Sequence, residues 1–366
     1  MILMRGETMI RIVGMLLLVV AIGAGCSSEK NEKIKSKEVS TTSTAPQVVA
    51  DKLEIPWSID EANNVFYISE RNGDIVKVEA GKKERQKVIF EKTLSSAAEA
   101  GLLGFVLAPD FITSNKAFAY YTYEDSSGQF NRIVALKFED NHWKESQLLL
   151  DHIPSGHVHH GGRLEIGPDG KLYATTGDAA EEPEIAQDLT SLGGKIMRMN
   201  LDGSIPSDNP FSNSYVYSYG HRNPQGLAWA QDGTLYESEH GPSANDEINK
   251  IQPGHNYGWP IIKGKEKQDG MEEPLYTSGD QTTWAPSGMF YYDEKLYVAT
   301  LRGNAVREFN LQSGKTREVI TGLGRIRDVF IKDGSLYFVS NNTDGRGTPL
   351  EGDDKLYKIS LAEIVD

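Results

Sequence analysis

Three histidines stand within four residues in the segment HVHHGGRLEIGPDGKLYATTGD, residues 157–178. His157, His159 and His160 precede two glycines and Arg163, and a predicted strand and turn follow. Strand periodicity would place only His157 and His159 on one face, which is too few ligands for a closed zinc site. A histidine titrates near neutral pH and can act as a general base, while glycine lets a flat ligand or a neighbouring backbone approach closely. The segment therefore predicts either a catalytic base beside a ligand or the polar end of a strand.

A second polar cluster, HRNPQG at residues 221–226, lies between two predicted strands. Arg222 and Asn223 offer a cation and an amide, the groups that would hold a ligand with carboxylate and carbonyl oxygens. Polar residues before Pro224 can also simply form a turn. The sequence leaves both interpretations open.

The segment EHGPSANDEINKIQPGHNYGWP, residues 239–260, combines main-chain and carboxylate oxygens. A sharp turn at Gly241-Pro242 frees backbone carbonyls, and Asp246 and Glu247 place two carboxylates nearby. Oxygen ligands of these kinds are those that Ca²⁺ takes, although the spacing is not that of an EF-hand. A solvated acidic surface is the alternative.

Two arginines alternate in GLGRIRDVF, residues 322–330. In an extended strand Arg325 and Arg327 point the same way. Because neighbouring guanidinium groups repel, burial of both would require an acidic partner between them. Exposure of both on the surface is the alternative.

These segments need a scaffold, and a recurring phrase indicates which one. A turn is followed by an apolar residue, a tyrosine and small or β-branched residues, as in GKLYATTGD and GTLYESEHG. The tyrosines of the six phrases are Tyr67, Tyr120, Tyr173, Tyr236, Tyr297 and Tyr337. Each phrase alternates like a half-buried strand, and repeats of this length built of strands are typical of propeller blades. We predict an all-β fold, a six-bladed β-propeller; an irregular all-β protein with recurrent hairpins is the alternative.

The N-terminus predicts export. Residues 10–25 form one apolar run with Arg5 and Arg11 on its N-terminal side, and the run ends in small residues before Cys26, the only cysteine of the 366-residue chain. We expect residues 1–26 to be a signal peptide with Cys26 as a lipidation site, and the protein to be exported and either lipid-anchored to the outer face of the cell membrane or located in the periplasm. Simple secretion, with Cys26 left in the signal peptide or the tail, is the alternative. Residues 27–50 are predicted to be a flexible tether and residues 51–366 the folded domain. The net charge of −14 argues against nucleic-acid binding.

Taken together, the segments resemble the glucose/sorbosone dehydrogenase family of soluble quinoproteins, and among them the bacterial aldose sugar dehydrogenases. The matching phrases are EAGLLGFVLAPDF, HHGGRLEIGPDGKLYATTGD, YGHRNPQGLAW, EHGPSANDEIN with NYGWP, APSGM and GRIRDVF. The resemblance implies a six-bladed propeller that binds pyrroloquinoline quinone (PQQ) and Ca²⁺. It also implies oxidation of the C1 hydroxyl of an aldose sugar to a lactone, with an external electron acceptor.

The resemblance also implies roles for single residues. His159 would be the general base, and Asp178 would orient it or line the rim. The residues implied to hold the cofactor are Glu99, Arg222, Asn223, Thr283, Arg302, Arg325 and Arg327. Gly241 and Pro242 would lend carbonyls to the Ca²⁺ at the quinone, and Asp246, Glu247 and the Tyr257 carbonyl would form a second Ca²⁺ site.

The chain departs from the family pattern in two places. The aromatic residue that covers PQQ in the glucose enzyme has no clear match near Thr283-Trp284, and the loop 263–282 is short. Two other functions stay open: a metal-dependent lactonase with carboxylates around a central ion, and a lipid-tethered binding propeller without catalysis. Fold alone does not separate these functions.

Overall fold

The computed structural model describes residues 45–364, and nearly all of the regular structure in that range is β-strand. The all-β prediction is confirmed. The short helices are α1 at Phe111–Ser114 and 3-10 turns at Pro183–Ala186 and Leu361–Glu363. Within residues 45–364 no helix is long and apolar enough to cross a bilayer. The predicted signal peptide, with Cys26, and most of the predicted tether lie outside the described residues.

Twenty-four strands follow one another along the described chain. They are β1 Gln47–Ala50, β2 Pro56–Ala62, β3 Val65–Glu70, β4 Asp74–Glu79, β5 Lys82–Ile89, β6 Leu102–Leu107, β7 Lys116–Asp125, β8 Gly128–Glu139, β9 His142–Pro154, β10 Leu164–Ile166, β11 Leu172–Thr176, β12 Lys195–Met199, β13 Val216–Tyr219, β14 Pro224–Trp229, β15 Leu235–Glu239, β16 Glu247–Ile251, β17 Tyr276–Thr277, β18 Pro286–Tyr292, β19 Lys295–Thr300, β20 Ala305–Asn310, β21 Thr316–Ile320, β22 Ile326–Lys332, β23 Ser335–Ser340 and β24 Leu356–Ser360.

The strands form four sheets of four strands and one sheet of eight. The larger sheet, β2-β3-β4-β5-β9-β8-β7-β6, consists of two antiparallel groups of four joined by a short parallel pairing of β5 with β9. Within each antiparallel group of four, strands that are consecutive in sequence are hydrogen-bonded neighbours, apart from β1, which pairs with β24. We call each antiparallel group of four strands a unit.

The last unit is completed by the first strand of the described chain. β1 pairs antiparallel with β24, and the sheet order is β1-β24-β23-β22. The four residues of β1 fall in the range predicted to be a flexible tether, so the folded part begins earlier than residue 51. The polar composition of the preceding residues concealed this strand.

The first strands of the units after β1 lie side by side. β2 packs beside β6, β6 beside β10, β14 beside β18, β18 beside β22, and β22 beside β2, while β14 contacts β11 of the unit before it. We call β2, β6, β10, β14, β18 and β22 the inner strands. The number of blades stays a prediction at this point.

Each tyrosine of the repeated phrase lies in the second strand of its unit. The strands that carry them, in chain order, are β3, β7, β11, β15, β19 and β23. The phrases were predicted to be half-buried, but every residue of β11 and of β15 is buried. Both faces of such a strand are covered because each unit packs against neighbouring units, and both faces then lose water.

The polar segments of the sequence lie where the inner strands begin. His159 precedes β10, Asn223 precedes β14, Arg325 precedes β22 and Glu99 precedes β6. The ring of inner strands therefore brings segments that are distant in sequence to one end.

Candidate active site

His159 and Asp178 form a close pair at this end of the inner strands. The His159 Nδ1 atom lies 2.7 Å from Asp178 Oδ1, and the two side chains are 15% and 1% exposed. Because a carboxylate accepts, Nδ1 carries the proton and Nε2 keeps a lone pair. The other carboxylate oxygen of Asp178 accepts from Trp259 Nε1 at 2.8 Å, which fixes the carboxylate in turn.

The other two histidines have different surroundings. His157 is exposed and approaches Glu181, whereas His160 is buried between Ser155 and the Ala98 carbonyl. Burial lowers the pKa of His160 to about 4, so it is neutral. The expectation that His157 and His159 share a strand face is wrong, because residues 157–163 form a loop in which His159 has a φ of 63°.

The two glycines after His160 make room for neighbouring protein atoms. A Cβ on Gly161 would lie 2.6 Å from the Thr175 carbonyl oxygen, and one on Gly162 would meet the Leu103 side chain at 2.7 Å. Both glycines also have positive φ. Of the two roles considered from the sequence, close approach of a neighbouring backbone applies at Gly161.

Arg222 lies against the same tryptophan that holds Asp178. Its guanidinium carbon is 5.2 Å from the centre of the Trp259 ring, and Nη1 donates to the carbonyls of His240 and Gly241. Burial lowers the pKa of Arg222, and Asp178 and Glu239 offset part of this effect. The neighbouring Asn223 is fully buried, and its Oδ1 accepts from the Gly161 N–H at 3.1 Å.

Arg325 and Arg327 are both buried and lie close enough to affect each other. Burial and the charge of Arg325 lower the pKa of Arg327 to about 9. Arg325 donates to Asp344 Oδ2 at 2.8 Å, and Arg327 donates to Gln225 Oε1 at 2.8 Å. Surface exposure, the alternative raised from the sequence, does not apply.

Glu99 links this site to the loop between β23 and β24. Its carboxylate bonds to Arg346 of that loop, and Oε2 accepts from the His159 backbone N–H at 3.3 Å. Burial opposes ionisation of Glu99, but the charge of Arg346 and the hydrogen bond from it lower the pKa to about 2.

Several buried polar atoms here have no hydrogen-bond partner among the described residues. They are the Nε atoms of Arg222, Arg325 and Arg327, the Nδ2 atom of Asn223, and the Nε2 atom of His240. Glu99, Arg222 and Arg327 all act electrostatically on the His240 imidazole, so these side chains lie near it. Buried donors without partners are costly unless a ligand satisfies them.

Four of the five predicted metal-binding residues line one small cavity. Its walls include Gly241, Pro242, Glu247 and Tyr257. Asp246 is used differently: its carboxylate accepts from the Gly241 N–H, the Thr283 hydroxyl, and the Trp284 and Ala285 N–H groups. Asp246 and Thr283 thus hold two segments together.

Sequence reasoning missed a buried acidic cluster beside this cavity. Atoms of His221, Glu237 and Glu239 lie within 4.8 Å of one another, close enough to hold a metal ion. Asn249 Nδ2 donates to Glu237 and Glu239 at 3.1 Å and to Glu247 at 3.3 Å. The signal was the alternation of Glu237 and Glu239 along β15, which puts both carboxylates on one face.

A larger cavity of about 670 Å³ lies beside the arginines. Arg302, Arg325 and Arg346 line it together with Asn342. Arg302, which was predicted to contact the cofactor, thus lines the same cavity as Arg325. Arg346 was missed because the loop NNTDGRGTPLEGDD has no periodicity that ties it to other segments.

Two tryptophans were also missed as site residues. Trp259 belongs to the NYGWP phrase but was given no role, and Trp57 lies 4.4 Å from the Arg163 guanidinium and 5.8 Å from that of Arg327. A tryptophan that is not part of a recognisable helical or ligand-binding pattern is normally interpreted as a residue of the hydrophobic core. Only the folded arrangement of the inner strands places these indole side chains against guanidinium groups.

Comparison with known proteins gives one consistent result. The sequence profile of the Glucose / Sorbosone dehydrogenase family matches residues 53–355. Aldose sugar dehydrogenase YliI of Escherichia coli (strain K12) is 32% identical over an alignment of 341 residues that covers 82% of this chain and 90% of that protein. Quinoprotein glucose dehydrogenase B of Acinetobacter calcoaceticus is 35% identical over 61% of this chain and 52% of its own length. The structure of the PQQ-bound aldose sugar dehydrogenase from Streptomyces coelicolor is 36% identical, with a TM-score of 0.80 over 86% of this chain and 96% of that one.

Proposed function

Because this chain belongs to the glucose/sorbosone dehydrogenase family, we propose that it is a PQQ-dependent aldose sugar dehydrogenase that oxidises the C1 hydroxyl of an aldose to the lactone. The observation that carries the proposal is the group of buried donors without partners. Arg222, Asn223, Arg325 and Arg327 each have a buried side-chain nitrogen without a hydrogen-bond partner among the described residues. A flat ligand with several carboxylate and carbonyl oxygens would satisfy them.

PQQ fits this donor set in charge and in chemistry. Arg222, Arg325 and Arg327 would hold its acidic groups, with Asn223 at a carbonyl oxygen and Arg302 at the open side. When bound, the quinone supplies the hydride acceptance that no amino-acid side chain provides. The protein then has to bind the sugar, orient it and remove one proton.

His159 is suited to that proton transfer. Since Nδ1 donates to Asp178, Nε2 is the basic atom, and we assign to it the proton of the C1 hydroxyl. Asp178 is held by Trp259 and would stabilise the imidazolium as the proton arrives. The pair acts as base and positioning group.

We propose that Ca²⁺ occupies the cavity lined by Gly241, Pro242, Glu247 and Tyr257. Carboxylate and main-chain oxygens are the ligands this ion prefers. Glu239 also faces the cavity. Asp246 supports the turn through hydrogen bonds to backbone and so fits a role in shaping the site better than one as ligand.

The scaffold is in our interpretation a six-bladed propeller. Six antiparallel units of four strands, neighbouring inner strands, and closure by β1 support this count. We also propose that the protein is exported and lipid-anchored through Cys26, and that an external acceptor reoxidises the cofactor.

Reconstitution tests the proposal directly. The purified chain is incubated with PQQ and CaCl₂, and reduction of an artificial electron acceptor is followed with a panel of aldoses. We expect dye reduction only when both PQQ and sugar are present, and loss of the activity in a chelator. Absence of dye reduction together with hydrolysis of sugar lactones would favour the lactonase alternative instead.

A further inference from the structure

A further cavity lies at the other end of the inner strands. Its volume is about 410 Å³, and every inner strand contributes to its wall. The apolar residues of the wall, one from each inner strand, are Ile59, Phe105, Ile166, Leu227, Met289 and Val329. These residues lie in the middle or towards the end of their strands, whereas the candidate active site lies where the same strands begin. We call this space the axial cavity.

Buried side chains separate the axial cavity from the candidate active site. Trp57, 2% exposed, stands near the start of β2 and lies against the guanidinium groups of Arg163 and Arg327. Arg163 Nη1 donates to Asp328 Oδ2 at 3.0 Å, and Asp328 lines the axial cavity. The negative charge of Asp328 is therefore balanced by the guanidinium group of Arg163.

Two further carboxyl groups of the axial cavity have no such partner. Asp60 accepts from the backbone N–H groups of Glu61 and Leu107 at 2.7 Å, which fixes its position. The carboxyl group of Glu165 makes no hydrogen bond with any described residue. Neither carboxyl group has an ion pair within residues 45–364, although both lie against an apolar wall.

Their titration agrees with this geometry. Burial raises the pKa of Glu165 to about 8 and that of Asp60 to about 7. Asp60 and Asp328 both add to the effect on Glu165, and Arg163 offsets part of it. Negative charge is thus costly here until a cation enters.

We propose that the axial cavity is a binding site for a small amphipathic amine, whose apolar body packs on the inner strands and whose ammonium group faces Glu165 and Asp60. The volume lies in the range of small-molecule sites, which are mostly apolar with a few polar groups that orient the ligand. An ammonium group supplies the charge and the hydrogen-bond donors that Glu165 lacks. This inference does not depend on the proposed sugar oxidation, since the two sites share no residue.

Benzylamine and benzyl alcohol test the proposal because they have the same ring and differ in charge. Binding to the purified chain without added PQQ is measured at pH 8 by calorimetry, and by the fluorescence of Trp229, which lines the axial cavity. We expect benzylamine to bind about tenfold more tightly than benzyl alcohol. The replacement Glu165→Gln should remove that preference, and Glu363→Gln, which changes an exposed carboxylate, should retain it.

A second variant tests the location. Ala230 lines the axial cavity and is only partly buried, so Ala230→Phe fills space without disturbing a strand. This variant should lose binding of both compounds at an unchanged melting temperature. Equal or tighter binding of the alcohol, binding of the amine that survives Ala230→Phe, or no binding of the amine would each overturn the proposal.

Discussion

At the residue scale, the backbone of His159 is as specific as its side chain. A φ of 63° is uncommon outside glycine, and residues held in this way cluster at functional sites. The hydrogen bond from the His159 N–H to Glu99 and the bond from Nδ1 to Asp178 hold the imidazole from both sides. The orientation of Nε2 therefore follows from the surrounding structure.

The first prediction separates the histidines. His159→Ala should lower kcat of sugar-dependent dye reduction at least about 100-fold, because the general base is lost, while PQQ still binds. His157→Ala is the control: its side chain is exposed, and activity should stay within about twofold of the unchanged protein. Activity and PQQ absorbance are measured on the same samples. Full activity of the His159 variant would remove it from catalysis.

The second prediction concerns Asp178 as a positioning residue. Asp178→Asn retains the shape but allows the amide to favour the wrong histidine tautomer, so we expect kcat to fall about 10- to 100-fold with little change in KM. Measurement of kcat against pH distinguishes this from a structural defect, since the acidic limb, along which the base His159 becomes protonated, should move. Asp280→Asn, at an exposed position, serves as the matched control. An unchanged pH profile with lower melting temperature would indicate a structural role alone.

At the element scale, the loop between β23 and β24 joins distant parts of the ring. Asp344 binds Arg325, and Arg346 binds Glu99, which precedes β6. One loop therefore fixes both Arg325, which belongs to the predicted cofactor site, and Glu99, whose carboxylate accepts from the His159 backbone N–H. Its side chains, rather than regular hydrogen bonding, hold it in place.

The third prediction uses the acid titration of Glu99. Its pKa falls from 4.5 to about 2 in the folded protein, so its ionised form stabilises the fold at neutral pH. This contribution, on the order of 2–3 kcal/mol, is lost as the pH falls through 4.5 towards 2. Glu99→Gln should therefore have a lower melting temperature than the unchanged protein at pH 7, with the difference narrowing below pH 4.5. Glu124→Gln, at an exposed position, should run parallel to the unchanged protein; a constant difference for Glu99→Gln would contradict the assignment.

At the scale of the whole molecule, the ring depends on a strand from its own N-terminal side. β1 covers the edge of β24 and brings Ala50 into an apolar cluster with Leu53, Val339 and Leu356. An uncovered edge strand exposes unpaired backbone groups to water and to other chains. Closure by β1 thus joins the last unit to the residues that lead into the first.

The fourth prediction tests this closure with two truncations. A chain that begins at residue 51 lacks β1 and should melt about 5 °C or more below one that begins at residue 45, and should aggregate more readily. The longer chain retains every described strand and is the control. Melting is followed by circular dichroism and association by light scattering. Equal melting temperatures would mean that β1 adds nothing to stability.

The sequence by itself determined the all-β class and the kinds of residues that do chemistry. Turn residues and a repeated tyrosine phrase act locally, through backbone conformation and strand propensity, and so they can be read without the fold. The polar segments 157–163, 221–226 and 322–330 contain His159, Arg222, Asn223, Arg325 and Arg327, each with a side chain suited to a proton or an anion.

Only the tertiary structure decided which of these residues meet, and how. His159 pairs with Asp178, Trp259 lies between Asp178 and Arg222, and Arg346 reaches Glu99 across 247 positions of sequence. The tertiary structure also uses Asp246 to connect Gly241 with Thr283 through hydrogen bonds, and it places Asp60 and Glu165 in the wall of the axial cavity. These outcomes depend on how far the ring turns between units, and long-range packing sets that geometry without leaving a signal in any local stretch of the chain.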